Sequence, residues 1–204
     1  MSSLTRAPAI VLLALAVASV LLLGCQAGAG TSTATRTPSA TPAPATVTVP
    51  ALDATYQSAV YGYSIDYPEY FSVRPATRRL DGAETPWVDS AGVDQLSAAA
   101  TIVIGSGDLA AGMDMEGWIG NAITPVCGQP ASADPVAIGG EPGRLLMFTS
   151  CNGYFHLWAT TVHGPAGYHI VWVSEPGSEA ESRAIFSAIL ASFKFGQMPL
   201  PAPS

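Results

Sequence analysis

Three apolar stretches joined by two turn signals, between Arg144 and Ser174, constrain this chain more than any other feature. Residues 144–151 and 154–163 flank Asn152-Gly153, a pair that favours the left-handed backbone a two-residue type I′ hairpin needs. Residues 154–163 and 168–174 flank Gly164-Pro165-Ala166-Gly167, a second turn signal. Successive side chains of a strand point to opposite faces. In the registers these turns imply, one face gathers Leu145, Met147, Trp158, Val162, Val171 and Val173. The other gathers Leu146, Phe148, Phe155, Leu157, Ile170 and Trp172. Both faces are apolar, so the sheet must be covered twice.

Two segments can supply the covers. Met115, Trp118, Ile119, Ala122 and Ile123 recur at helical spacing on one face. Asp114 can cap the start of that helix and Pro125 marks its end. Gly117 and Gly120 weaken it by ~1 kcal/mol each relative to alanine, so packing must hold it. Further on, Pro176-Gly177 breaks the last strand, and Ser178-Glu179-Ala180-Glu181 reads as a capping box. Ile185, Phe186, Ile189, Leu190 and Phe193 then form an apolar stripe. Upstream, residues 62–67 alternate as a strand ended by Pro68, and Phe71-Ser72-Val73-Arg74 continues extended. Residues 99–104 read as a buried strand stopped by Gly105-Ser106-Gly107, and 78–100 as irregular with one candidate strand near Trp87. The expected class is α+β, a three-layer α/β/α sandwich around a mainly antiparallel sheet.

The N-terminal part has a different character. Arg6 precedes an apolar run over residues 9–23, which closes on Leu22-Leu23-Gly24-Cys25. A positive start, an apolar core and a small residue at the cut site are the parts of a secretory signal. As a helix the run would rise only ~22 Å at ~1.5 Å per residue, short of the ~30 Å hydrocarbon core of a bilayer. Ending on Gly24-Cys25, it reads as the lipobox of a bacterial lipoprotein, with the Cys25 thiol as acceptor of a diacylglyceryl group. Leu23 stands where such motifs usually carry a small or β-branched residue. From Gln26 to about Asp53 the chain is rich in Thr, Ala, Pro and Ser and poor in large apolar residues, which predicts a disordered tether. The expected organisation is a signal peptide over 1–24, lipidated Cys25 and tether over 25–53, a folded domain over 54–196 and a flexible tail over 197–204.

Charge and cysteine usage narrow the function. Within 54–196, six basic residues against fourteen acidic ones leave a net charge of −8. Such a surface repels nucleic acid and anionic bilayers alike. Assigning Cys25 to lipid leaves Cys127 and Cys151 as a pair, and an exported domain makes a disulfide the default for them. Two thiols alone do not close a tetrahedral zinc site. The three histidines, His156, His163 and His169, fall on one predicted hairpin. His156 and His169 share a face but lie about 20 Å apart in the register the turns imply, and His163 points the other way. Neither Ser64 nor Ser106 completes the Gly-x-Ser-x-Gly of a hydrolase elbow. Asp114 with Glu116, and Glu179 with Glu181, sit at helix starts, where the macrodipole favours acids. These residues suggest no catalytic group, no metal and no cofactor. Trp87, Trp118, Trp158 and Trp172 read as core, or at most as walls of a small apolar pocket.

Gly62-Tyr63-Ser64-Ile65-Asp66-Tyr67-Pro68 followed by Phe71-Ser72-Val73, the mid-chain helix, and Ile189-Leu190-Ala191-Ser192-Phe193 together resemble PsbP-like domains. The resemblance spans most of residues 56–195. It implies an antiparallel sheet with helices on both sides and carries over no catalytic residue. That family includes an extrinsic photosystem II subunit and many bacterial lipoproteins of unknown role, and nothing in this chain matches a photosystem docking motif. The leading expectation is a non-catalytic binding or accessory module, held by its lipid anchor at the extracytoplasmic face of the cell membrane. Its partners would be the membrane, through the anchor, and an envelope protein or a small ligand, with no nucleic acid. The alternatives are a carrier of a small apolar ligand and an envelope serine hydrolase.

Overall fold

The structure, a computed structural model, describes residues 47–80, 85–122 and 127–196. The predicted signal, Cys25, the tether up to residue 46 and the tail over 197–204 lie outside the described residues. The described elements run β1 (Ala54–Gln57), β2 (Tyr63–Tyr67), β3 (Ser72–Arg74), β4 (Asp94–Ser97), β5 (Thr101–Asp108) and α1 (Met115–Ala122). They continue with β6 (Ser132–Ile138), β7 (Glu141–Cys151), β8 (Tyr154–His163), β9 (Ala166–Ser174), α2 (Glu179–Ser192) and β10 (Lys194–Phe195). A seven-stranded sheet has the order β3-β4-β5-β9-β8-β7-β6, and a three-stranded sheet has the order β1-β2-β10. Every pairing is antiparallel, so the fold is α+β.

The three predicted strands form the middle of the large sheet, with two changes of register. Asn152 and Gly153 both have positive φ, 55° and 88°, as the hairpin signal requires. Cys151 pairs with Tyr154 across that turn, but Phe148 pairs with His156, because a bulge interrupts β7 between Phe148 and Cys151. Simple counting back from the turn sets Phe148 against Leu157 instead. The bulge moves β7 by one position, and a one-residue shift exchanges faces. Leu146 therefore joins Trp158 and Val171, and Leu145 joins Ala159 and Ile170, the reverse of the sequence expectation. At the second turn Ala166 and Gly167 belong to β9, and His163 pairs with Ala166. That shift is by two residues, so the faces of β9 stay as expected. β5 also departs from expectation by running through Gly105-Ser106-Gly107. A Cβ at Gly105 would collide with the Leu80 side chain, so glycine here serves close packing and does not stop the strand.

Each face of the large sheet has its own cover. α2 places Ile185, Phe186, Ile189 and Leu190 against Ile102, Leu157, Ile170 and Trp172. The small sheet completes this layer: Tyr63 of β2 stacks on Phe193, ring centroids 4.9 Å apart, and Ser192 Oγ accepts from the Asp66 backbone N–H at 2.8 Å. The capping box at the start of α2 does not form. Ser178 makes no side-chain cap bond; its hydroxyl donates to the Glu175 carbonyl, and Glu179 accepts from the Gly177 N–H at 3.0 Å. On the opposite face α1 contributes Ile119 to a second cluster with Val103, Leu146, Phe148, Trp158 and Val171. Asp114 caps α1 as expected, accepting from the Gly117 N–H at 2.9 Å. Ile123 and Pro125 fall outside the described residues. No strand forms at Trp87, and β4 arises instead at Asp94. The edge strand β6 holds Pro135, a residue whose missing N–H suits an unpaired edge.

A buried carboxylate ties the two sheets together. Asp94 of β4 is fully buried and accepts from Tyr63 Oη at 2.8 Å, Tyr56 Oη at 2.6 Å and the Ala76 N–H at 2.7 Å. Burial and the nearby carboxylate push both tyrosine hydroxyls well above their usual range, so they remain donors at any working pH. Replacing Asp94 with alanine leaves these donors without an acceptor, and each buried orphan costs roughly 1–3 kcal/mol. Asp94→Ala is expected to lower the unfolding free energy by about 3 kcal/mol or more, read from urea denaturation. A loss below about 1 kcal/mol would show that the network is not what joins the sheets.

Candidate functional site

α1 spans eight residues and covers only part of its face of the sheet. Its Trp118 lies flat on His169 of β9, with ring centroids 4.7 Å apart and planes 9° from parallel. Gly167 makes room for it, since a Cβ there would run into the indole. Toward the β7–β8 turn the same face is open, and there it forms a cleft of about 390 Å³. Val103, Trp158, Val171 and Val173 form the apolar lining from the sheet; Trp87 and Val88 stand on one side, Asn152 and Tyr154 on another. Among the described residues six large apolar side chains are exposed, and three of them, Trp87, Val88 and Tyr154, border this cleft. Among the described residues no acidic residue, lysine or arginine lines it.

His156 is the one ionisable imidazole in the cleft wall. Its ring is buried, and its Nδ1 accepts from the Trp158 indole N–H at 3.3 Å. Burial lowers its pKa, opposed by a hydrogen bond to the Cys151 backbone. The Cys127–Cys151 disulfide lies beside it, with Cα atoms 5.0 Å apart and the two residues 24 positions apart in sequence. One donor atom from each of Cys127, Cys151 and His156 falls within 4.8 Å of the others. Sequence reasoning could not find this cluster: Cys127 arrives from a different segment, and the β7 bulge sets how Cys151 lies relative to His156.

The remaining candidate groups do not converge on the cleft. His163 Nδ1 is 2.8 Å from Glu141 Oε1, and its ring stacks on Phe195 at 4.1 Å. His169 pairs across the ladder with Thr160, four positions from His156 rather than the expected six. Ser106 is fully buried in β5, and Ser64 lies on β2 of the small sheet opposite Gln57 and Lys194. Glu116 pairs with Arg144 at 3.3 Å, while Asp114 and Glu179 bond backbone N–H groups at the helix starts. Trp118, Trp158 and Trp172 are core, and Trp87 is a cleft wall. No nucleophile with an adjacent base appears among these groups.

No family model matches the sequence, and no curated protein matches it. Among solved structures, the chain is similar to cyanobacterial PsbP (CyanoP) from Synechocystis, at 11% identity and a TM-score of 0.50, over 70% of this chain and 91% of that one. It also aligns with LpqN, involved in cell envelope biogenesis of Mycobacterium tuberculosis, at 13% identity and a TM-score of 0.48, over 71% of this chain and 90% of that one. The fold is PsbP-like: mainly antiparallel sheets with two described helices.

His169 makes a measurable contribution to acid sensitivity. Neither of its ring nitrogens has a hydrogen-bond partner, and burial lowers its pKa to about 3. The unfolded chain takes up this proton near pH 6.5, the folded chain only near pH 3. The unfolded state therefore binds more protons throughout that window. Stability is at its full value above pH 6.5 and falls as the pH is lowered toward 3, by up to ~1.4 kcal/mol per unit from this group. His169→Phe is expected to flatten the fall between pH 6.5 and 4.5 in chemical denaturation. Parallel curves for the two proteins would show that His169 is not the group responsible.

Proposed function

We propose that this chain is a non-catalytic, lipid-anchored binding module of the extracytoplasmic envelope that holds a small apolar ligand in the cleft beside Trp87. The observation that carries this reading is the cleft itself, whose described lining is mostly apolar and aromatic and holds no acidic residue, lysine or arginine. Its volume lies toward the small end of the ~300–1,000 Å³ typical of small-molecule sites. Half-exposed Trp87 and Tyr154 offer flat aromatic surfaces, and stacking on such a ring adds about 0.5–1.5 kcal/mol beyond burial. Placement at the envelope rests on Leu22-Leu23-Gly24-Cys25 and on the disulfide of the folded domain, a bond that persists in oxidising compartments.

Two measurements test the two halves of the proposal. In detergent phase partitioning, wild-type protein is expected in the detergent phase and Cys25→Ser in the aqueous phase or uncut, because only the thiol accepts the lipid. Wild-type protein in the aqueous phase with an unmodified Cys25 would overturn the anchor. For the cleft, 2-naphthol serves as an uncharged aromatic probe, followed by tryptophan fluorescence and native mass spectrometry. Wild type should bind it in a one-to-one complex, and Trp87→Ala should weaken binding by about tenfold, the equivalent of one stacked ring. Equal binding by wild type and Trp87→Ala, or no bound mass with the probe or in freshly isolated protein, would rule out the cleft as the ligand site.

A further inference from the structure

We infer that Cys127, Cys151 and His156 constitute a thiol-gated metal site: closed by the disulfide in the oxidised protein, and able after reduction to take one Zn²⁺-like ion. This inference does not depend on what occupies the cleft. Three donors of the right softness, two thiolates and one imidazole, converge here from separate places in the chain. Cys151 ends β7, His156 lies on β8 beyond the Asn152-Gly153 turn, and Cys127 follows α1 at a distance in sequence. Their donor atoms lie within 4.8 Å of one another. In a tetrahedral zinc site with Zn–S near 2.3 Å and Zn–N near 2.0 Å, neighbouring donors stand about 3.5–3.8 Å apart. The sulfurs must separate from bonding distance to that spacing and the imidazole must close in by about 1 Å, movements on the scale of side-chain rotation.

The surroundings suit a metal in three further respects. The site is enclosed, with Cys151 and His156 buried and Cys127 half-buried, so bulk water does not compete for every coordination position. Nδ1 of His156 accepts a long hydrogen bond from the Trp158 indole N–H; that nitrogen therefore carries a lone pair and no proton, as a metal ligand must. Two thiolates and a divalent ion sum to zero charge, which avoids placing an uncompensated ion beside an apolar cleft. His156 also lines that cleft, which gives an ion a path from solvent. Two sulfurs and one imidazole favour Zn²⁺ over the hard, oxygen-seeking Mg²⁺ and Ca²⁺. A three-ligand set leaves one coordination position open.

The gating step needs one co-reactant, a dithiol reductant. A dithiol reductant gives two electrons and two protons to the Cys127–Cys151 bond and becomes a disulfide itself. The two protein thiols release their protons as the metal binds, while His156 contributes a lone pair. A disulfide oxidant reverses the sequence: it takes two electrons from the thiolates and two protons from solvent to become a dithiol, the Cys127–Cys151 bond re-forms, and the ion leaves. The same three residues thus hold either a covalent staple or a metal, never both.

The test uses the full mature chain in detergent, reduced with a phosphine and titrated with Co²⁺ under anaerobic conditions. Reduced wild type should take up one equivalent, with the visible bands of tetrahedral Co²⁺ and thiolate charge transfer in the near ultraviolet, and Zn²⁺ should displace it. The unreduced protein and the Cys127→Ser/Cys151→Ser double variant should show neither signal. His156→Gln, which keeps a polar side chain at the buried position, should bind Co²⁺ at least about tenfold more weakly. Circular dichroism of each sample separates loss of ligand from loss of fold. The inference is overturned if reduced wild type gives no tetrahedral spectrum, or if folded His156→Gln binds as tightly as wild type. It is also overturned if reduction unfolds the chain and Zn²⁺ does not restore it.

Discussion

The constraint on which the rest of the fold depends is the burial of β8, β9 and β5 on both faces. Trp158 faces one layer and Trp172 the other, and both are buried. Each indole removes roughly 200 Å² from water, worth about 5 kcal/mol as an upper estimate at ~25 cal/mol per Å². Neither contribution exists until a cover is in place. One side has a generous cover: fourteen residues of α2 together with the small sheet. The other has, among the described residues, the eight residues of α1, positioned by Trp118 on His169, with Leu80 and Val93 from the chain before β4. That inequality leaves the sheet open beyond Trp118, and the open part is the cleft. The candidate site is in this sense a consequence of unequal covering.

Much of this was legible in the sequence because it rests on short-range rules. Alternation and turn residues located the central strands, and helical spacing placed Trp118, Ile185, Phe186 and Ile189 on the faces they bury. What could not be read depended on residues distant in sequence. The bulge in β7 has no local marker in Phe148-Thr149-Ser150-Cys151, yet it reverses the faces of Leu145 and Leu146. β1, β6 and β10 carry too few apolar residues to announce themselves and exist because a partner strand is present. The capping box failed for a similar reason. Ser182 lies close to Ser178 in the folded chain, and Ser174 to Ser182; the Ser178 hydroxyl bonds to Ser182 and to the Glu175 carbonyl and makes no cap bond to the helix.

The site was less legible than the fold. Trp87 gave a correct hint as a pocket wall, but its loop offers no period from which to place it. His156 read as one of three scattered histidines, and the sequence supplied two sulfurs and no third donor. Spacing rules for zinc sites work when ligands cluster on one turn or one hairpin. Here one ligand of the three comes from the segment after α1, so only the folded chain brings them together. Cysteine counting identified the pair correctly and, for the same reason, could not reveal what stands beside it.

His156 connects the two proposed properties of this face. One side of its environment is the cleft, and the other is the pair of sulfurs. While the disulfide is intact, the loop it closes removes about 3.5 kcal/mol of chain entropy from the unfolded state on a simple loop-closure estimate, and Trp158 holds the imidazole through Nδ1. A metal on the reduced site would replace that covalent restraint with coordination and would draw His156 toward the sulfurs. Trp158, a residue of the cleft wall, would then lose its acceptor, and a buried donor without a partner is costly. The intact disulfide avoids that cost, because it takes both sulfurs out of a metal's reach and leaves His156 to Trp158.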